Sequence, residues 1–252
     1  MKEYEKLSVT VCRDSGCGMY YIPYKGRKMF FPKGWDEEKI AGYYRSVVTE
    51  QDARSPHCYA NEAFGVKEGD VVVDAGAAEG IFTLDCIDRA KKVYIIEADA
   101  AWMEALKETF REDGEKVCLI YGFLDSYHGG SHVSIDGLFG QEEIHYIKMD
   151  IEGAEKAALE GAGKTLARCS GLRCAICAYH CREDAESIQN VLHGYGFETE
   201  TSKGYMCPDW TLEAYLDAEL RRVIVFGKKT EAGLQNTKEP EYDALLVVTA
   251  KD

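Results

Sequence analysis

The sequence predicts an α/β protein built on a doubly wound, mostly parallel sheet, with a β-rich segment ahead of it. Three observations carry that expectation. From Lys67 onward, short apolar runs such as DVVVD, KVYIIE and KVCLIY alternate with amphipathic stretches. The runs lack the polar alternation of half-exposed strands, as expected of strands covered on both faces. At 252 residues the chain has room for one such domain with additions, or at most for two small ones.

In chain order, LSVTVC (7–12) reads as a short strand, and MYYIPYKGRKMFF (19–31) as a hairpin turning at Lys25-Gly26. Residues 36–65 are polar and helical in their first half, with Pro56 as the breaker. DVVVD (70–74) is the first strand of the sheet. EGIFTLDCIDRA (79–90) follows, with Ile81, Leu84 and Ile87 at helical spacing. KVYIIE (92–97), the helix AWMEALKETFRED (101–113) and KVCLIY (116–121) continue the rhythm. A loop of little periodicity, 122–143, precedes the strand in IHYIKMD (144–150). AEKAALEGAGKTL (154–166) reads as one helix, LRCAICAY (172–179) as a strand, and EDAESIQNVLHGYG (183–196) as a helix that Gly194 or Gly196 can end. FETETS and RRVIVFGKK (221–229) close the sheet, and YDALLVVTAK in the tail could add a strand. The expected organisation is an extension over 1–60, a ligand-binding domain over 61–229 and a tail over 230–252.

Thirty basic against forty-four acidic residues give a net charge of −14. Such a surface repels phosphate backbones and anionic lipid, which argues against nucleic-acid or membrane partners. No apolar run approaches the ~20 residues of a membrane span. MKEYEKLSVT lacks the apolar core of a signal peptide, so a cytoplasmic protein is expected. Ten cysteines then read as reduced thiols. Cys169, Cys174 and Cys177, with Cys181 beyond, match an iron–sulfur spacing and offer an alternative, metal-binding redox reading. Against it, residues three apart on a strand point to opposite faces.

Ligands of such sheets bind beyond the carboxyl ends of the strands. The first strand ends in VVVDAGAAEG (71–80), where Gly76 allows a tight turn and a close backbone approach. The second ends in Glu97, placed to bridge ribose hydroxyls. A dinucleotide fingerprint would need glycine at positions that hold Ala78 and Ile81. Gly163-Lys164-Thr165 supplies the last letters of a P-loop, but position 158 is Ala and the triplet sits in a helix pattern. What remains is D-x-G-x-x-x-G on Asp74, Gly76 and Gly80, edged by Glu79, Glu97 and Asp99. Acids at that edge suit S-adenosylmethionine, whose sulfonium and ammonium are positive, better than a pyrophosphate.

VVVDAGAAEGIFTL, VYIIEAD, SIDGLF (134–139) and YIKMDIEGAE (146–155), in that order, resemble the FkbM-type S-adenosylmethionine-dependent methyltransferases. SPHCY (55–59) and AYHCREDAE (178–186) add to the likeness, which covers about residues 45–228. The resemblance implies a class I methyltransferase (Rossmann-like) fold of seven strands with the last antiparallel, and methylation of a hydroxyl on a sugar or small molecule. It implies cofactor contacts from Asp74, Gly76, Ala77, Gly80, Glu97, Ala98 and Asp125. Ala78 departs from the glycine-rich pattern of methyltransferases generally. Asp150, at the end of the fourth strand, is the leading candidate to orient the acceptor hydroxyl, take its proton or help hold the sulfonium, with Glu152 and His180 as the other candidate bases. Glu155 reads as a favourable acid in a helix's first turn, and Lys148 as a partner for one of these acids. Asp150, Glu152 and His180 could hold a divalent metal, which is admissible but not expected. A catalytically idle binding module of the same fold is a further alternative, and a homodimer is compatible with the sequence.

Overall fold

The computed structural model describes residues 4, 6–207 and 220–230. The added strand expected in the tail lies outside the described residues.

The hairpin forms as the sequence indicates: β2 (Tyr20–Tyr24) pairs with β3 (Arg27–Phe30) in antiparallel fashion, and Lys25 and Gly26 both take positive φ at the turn. The strand expected over 7–12 shrinks to β1 (Cys12–Arg13), which pairs with Tyr20 and Tyr21. Val9 and Val11 instead pack against the main core, so their alternation reports burial without a partner strand. Helix α1 (Glu37–Glu50) is capped by the Asp36 side chain and ends at Gln51, before Pro56 is reached.

Among the described residues the main sheet has seven strands, in the order β11-β12-β10-β9-β4-β5-β6. These are β4 (Val71–Ala75), β5 (Lys92–Glu97), β6 (Val117–Tyr121), β9 (Tyr146–Met149), β10 (Arg173–Cys177), β11 (Phe197–Thr201) and β12 (Ile224–Lys229). Neighbouring pairs from β10 to β6 are parallel, and β12 runs antiparallel to both β10 and β11. Every residue of β4 is buried, which is why its sequence is a continuous apolar run broken only by Asp74. Helices α2 (Ile81–Cys86), α3 (Ala100–Thr109) and α7 (Asp184–Gly194) connect the strands.

Side chains on the two faces of the sheet belong to separate cores. Val72, Val93, Ile95 and Cys177 lie in one, while Val73, Tyr94, Ile96, Cys169 and Cys174 lie in the other. Cys174 and Cys177 therefore cannot ligate one cluster, and the iron–sulfur alternative fails on this geometry. The N-terminal segment contributes Ile22, Met29, Phe31 and Ile40 to the first of these cores, so it is packed as part of the domain.

Two further expectations need correction. The stretch 122–143 holds the strand pair β7 (Phe123–Leu124) and β8 (His132–Val133) and the short helix α4 (Ile135–Phe139), capped by Ser134. The single helix expected over 154–166 is two, α5 (Glu155–Glu160) and α6 (Gly163–Arg168). Gly161 presses so close to the loop that a Cβ there would lie 2.2 Å from the Asp125 carbonyl oxygen. The Asp136 carboxylate accepts the N–H of Lys164 and of Thr165, each at 2.8 Å, and so starts the second helix from a distance. Both devices are tertiary, and a helical pattern in the sequence does not contain them.

The chain proceeds from β4 outward to β5 and β6, then returns to lay β9 on the other side of β4. Strand order reverses between β4 and β9, and a crevice opens at their carboxyl ends, where such sheets take ligands.

Candidate functional site

The turn after β4 approaches β9 so closely that side-chain volume is forbidden. Gly76 has φ +70°, and a Cβ there would fall 1.7 Å from the Asp150 carbonyl oxygen. Ala78 also adopts the left-handed region, at φ +47°. This is the position where the sequence departs from the glycine pattern, and the backbone keeps the conformation that glycine would take without strain. Ala78→Gly is expected to raise stability by roughly 0.5–1 kcal/mol, since relief of the left-handed strain exceeds glycine's extra unfolded-state entropy. A thermal melt reads this as a rise of about 2 °C; a fall would contradict the strained backbone.

Glu97 fastens this turn to the next. Its carboxylate accepts the N–H of Ala78 at 3.0 Å on one oxygen, and those of Ala98 and Asp99 at 2.8 and 2.9 Å on the other. Asp74 is different. Fully buried, it accepts the Thr83 hydroxyl at 2.7 Å and lies 3.2 Å from the Lys148 ammonium. Lys148 also donates to the Gly76 carbonyl at 2.5 Å. The partner of Lys148 is thus Asp74 rather than an acid of the DIEGAE run. Asp74 and Gly80 lie outside the cleft wall and hold the turn from behind, with Gly80 at φ +82° against the Phe110 ring.

Asp150 is the centre of the polar network on the other wall. Its two oxygens accept the Tyr59 hydroxyl at 2.8 Å and the Tyr179 hydroxyl at 3.2 Å. His57 Nε2 lies 3.6 Å from one oxygen and His180 Nε2 3.7 Å from the other. Burial alone would push the Asp150 carboxyl up. Lys148, His57, the Tyr59 hydrogen bond and His180 outweigh it and hold the group below its usual value, so it is charged at neutral pH.

The two histidines differ. Burial, aided by Lys148 and His180, pushes His57 down against the pull of Asp150, and the ring stays neutral. For His180 burial is outweighed by Glu155, Asp150 and Glu152, and its pKa is raised. His180 Nδ1 stands 3.3 Å from Glu155, which is itself buried and accepts the Ile151 N–H at 2.9 Å. Glu155 is therefore the anchor of a buried ion pair as well as a first-turn acid. Glu152 sits at φ +59° with its side chain 91% exposed, and one carboxylate oxygen reaches back to 3.5 Å from His180 Nε2.

Gly76, Ala77, Glu97, Ala98, Asp125, Asp150 and Glu152 all line one cleft of about 970 Å³, at the upper end of the range for small-molecule sites. His180 is not on its wall. Asp125 accepts the Ser126 N–H at 2.6 Å and pairs with His132 at 2.9 Å. Tyr20, Tyr21, Tyr43, Tyr44 and Tyr59 of the N-terminal segment would each suit a sugar or ring, and of these Tyr43 and Tyr59 line the cleft. Glu50, His57 and Tyr179 line the cleft without having been candidates from the sequence. SPHCY and AYHCREDAE contain the last two, so the signal lay in those segments. Glu50, at the end of an ordinary amphipathic helix, gave none.

The lining carries, among the described residues, seven carboxylates and one lysine, Lys148, which is already engaged with Asp74. Among the described residues, the groups close enough to share a metal ion are His57-Asp150-Cys177 and Asp150-Glu155-His180. Neither is the Asp150-Glu152-His180 set that the sequence made admissible.

Comparison with known proteins bears directly on the family. Residues 121–198 match the Methyltransferase FkbM domain. The FkbM resemblance is borne out over the segment that runs from the end of β6 through Asp150 and His180. The crystal structure of Methyltransferase FkbM from Methylobacillus flagellatus KT is similar, with a TM-score of 0.53 at 18% identity over 76% of this chain and 55% of that one. This chain therefore spans little more than half the length of that FkbM protein. An rRNA methylase from Streptococcus thermophilus matches at 20% identity and a TM-score of 0.46, over 66% of this chain and 90% of that one. M. jannaschii TYW2 in complex with AdoMet matches at 17% and 0.42, over 82% and 84%. No curated protein sequence matches the chain. The fold is the class I, Rossmann-like methyltransferase fold. No helix among the described residues is long and apolar enough to cross a membrane.

Proposed function

We propose that the protein transfers a methyl group from S-adenosylmethionine to a hydroxyl of a sugar or other small molecule. The observation that carries this reading is the cleft at the β4/β9 reversal, whose lining includes Gly76, Glu97 and Asp150 and carries seven carboxylates. The residues fit the cofactor. A Cβ at Gly76 would fill the turn, and the acids suit a ligand with two positive charges. Glu97 and Asp125 would hold the nucleoside, with Gly76, Ala77 and Ala98 lending backbone. S-adenosylmethionine supplies an activated methyl group with its leaving group built in.

The chain's own work is then alignment and proton removal. Asp150, charged and fixed by two tyrosine hydroxyls, accepts the hydrogen bond of the incoming hydroxyl and points its oxygen at the methyl carbon. The released proton goes to Asp150 or to the neutral His57 ring 3.6 Å away. His180, already drawn toward protonation by three carboxylates, positions Asp150 rather than acting as the base. Glu152 sits at the rim.

Calorimetric titration should give micromolar binding of S-adenosylmethionine; absence of binding overturns the proposal. Asp150→Ala should lower S-adenosylhomocysteine release at least 100-fold with any acceptor found in a sugar and small-molecule panel, while cofactor affinity stays within about threefold. Normal turnover by that variant removes Asp150 from the mechanism.

A further inference from the structure

Glu155, the first residue of α5, is 1% exposed and does not line the cleft. A carboxylate withdrawn from water needs a partner, and this one faces two. Its Oε1 accepts the Ile151 N–H at 2.9 Å and stands 3.3 Å from His180 Nδ1. The opposite nitrogen of the same ring, Nε2, lies 3.7 Å from Asp150 and 3.5 Å from Glu152. His180 is thus strung between a carboxylate behind the cleft and the one proposed to meet the acceptor.

The backbone is strained where this arrangement is made. Between Asp150 and Glu155 the chain turns through Glu152 at φ +59°, a left-handed conformation that a non-glycine residue enters only at a cost. Such strain persists where the surroundings over-determine it, and it gathers at functional sites. Here it brings two acids to opposite edges of one imidazole. The ring is held on its other sides as well. Tyr179 packs on it with ring centroids 4.2 Å apart, and the Arg221 guanidinium donates to the Tyr179 and His180 carbonyls at 2.9 and 2.5 Å. The second histidine beside Asp150 has no such backing. His57 Nδ1 is buried without a hydrogen-bond partner among the described residues.

On the reading that Asp150 receives the acceptor hydroxyl, we infer that Glu155 is a positioning residue for methyl transfer that acts through His180. It grips Nδ1, so that Nε2 presents positive charge to Asp150 and holds that carboxylate ionised and in line. A carboxylate behind an imidazole fixes the ring's orientation and stabilises its charged form. Burial, the largest influence on His180, pulls its pKa down; Glu155 heads the acids that outweigh it, followed by Asp150 and Glu152. The other titratable or charged groups against the ring are Tyr179, the Arg221 guanidinium at its carbonyl and, across Asp150, His57. The plainer task of Glu155, accepting the Ile151 N–H beside α5, needs an oxygen but no charge.

Glu155→Gln separates the two tasks, since the amide keeps the oxygen and loses the charge. Thermal melts and calorimetry with S-adenosylhomocysteine establish that the variant is folded with its cofactor site intact. Long-range proton–nitrogen spectra at pH 6.5, with His180 assigned through His180→Gln, then read the ring directly. The ring should be mostly charged in wild type, and its charged fraction at least about threefold smaller in Glu155→Gln. With the acceptor that the sugar and small-molecule panel returns, kcat should fall about tenfold or more while KM moves less than about threefold. The double variant Glu155→Gln/His180→Gln should be no slower than the slower single, as expected of residues that act as a unit. A His180 ring mostly neutral in wild type overturns the inference, as does a charged fraction unchanged by Glu155→Gln. So do losses that multiply in the double variant, which would make Glu155 a structural acid alone. Should Glu155→Gln not fold, Glu155→Asp, which draws the charge back by one methylene, is read by the same spectra for a fall in the same direction. Failure of wild type to bind S-adenosylhomocysteine, or a panel with no acceptor in it, overturns the functional reading instead, while the spectra still decide whether Glu155 holds the ring.

Discussion

Gly76→Ala is expected to lower folding stability by about 3 kcal/mol or more and to abolish cofactor binding. Two costs combine. A side chain at φ +70° costs about 1–2 kcal/mol by itself. The added methyl would also lie 1.7 Å from the Asp150 carbonyl oxygen and 3.1 Å from the Ile151 side chain. The first neighbour is backbone at the end of a central strand, so it cannot swing aside. Relief requires prying the β4 turn from β9, which breaks the hydrogen bond from Asp150 N–H to the Ala75 carbonyl and widens the cleft floor.

Two other glycines separate these costs. Gly26 has φ +80° and open space where a methyl would go, so Gly26→Ala measures the conformational term alone. Gly80, at φ +82°, would meet the Phe110 ring edge at 2.9 Å and a Leu106 methyl at 3.0 Å, both ends of side chains that can give. The expected order of destabilisation in urea is Gly76 well above Gly80, and Gly80 above Gly26. Equal losses at Gly76 and Gly26 would mean that the close approach of the two strand ends is wrong.

The strands were legible because a parallel sheet covered on both faces writes itself as apolar runs, and KVYIIE spans the same residues as β5. Gly76 and Asp150 were legible as the ends of such runs. What escaped depends on contacts between distant segments. His57 and Tyr59 reach Asp150 from about ninety residues away, and nothing local to SPHCY says that its histidine is buried while its tyrosine donates to a carboxylate. Likewise the break between α5 and α6 is imposed by the Asp125 carbonyl and the Asp136 side chain, which no periodicity in AEKAALEGAGKTL encodes. Asp74 shows the converse. Its place at a strand end is plain in the sequence, yet the pleat turns it inward, and its task is to neutralise Lys148 rather than to touch a ligand.

That pair supplies the second large effect. Lys148→Met is expected to cost about 3–5 kcal/mol, because it strands a fully buried carboxylate with only the Thr83 hydroxyl for company. It also removes the donor to the Gly76 carbonyl and the cation 5.2 Å above the Tyr59 ring. Adding Asp74→Asn in the same chain should recover much of the loss, since an amide needs no counter-charge, and urea titrations of the two singles and the double give the coupling directly. A double variant no more stable than Lys148→Met would show that the buried charge is not what the lysine answers. The pH response carries a separate signature. Asp150 is depressed in the folded state, so its contribution to stability is present above the unfolded value of about 4 and lost as pH falls through the folded one. Lys148 is the largest of the influences that lower it, so in both lysine variants the Asp150 carboxyl should titrate at higher pH. The Asp74→Asn exchange repairs the fold without restoring that charge. Stability rescued together with an acid limb still displaced upward is therefore the combination expected of a lysine that neutralises one aspartate and tunes another.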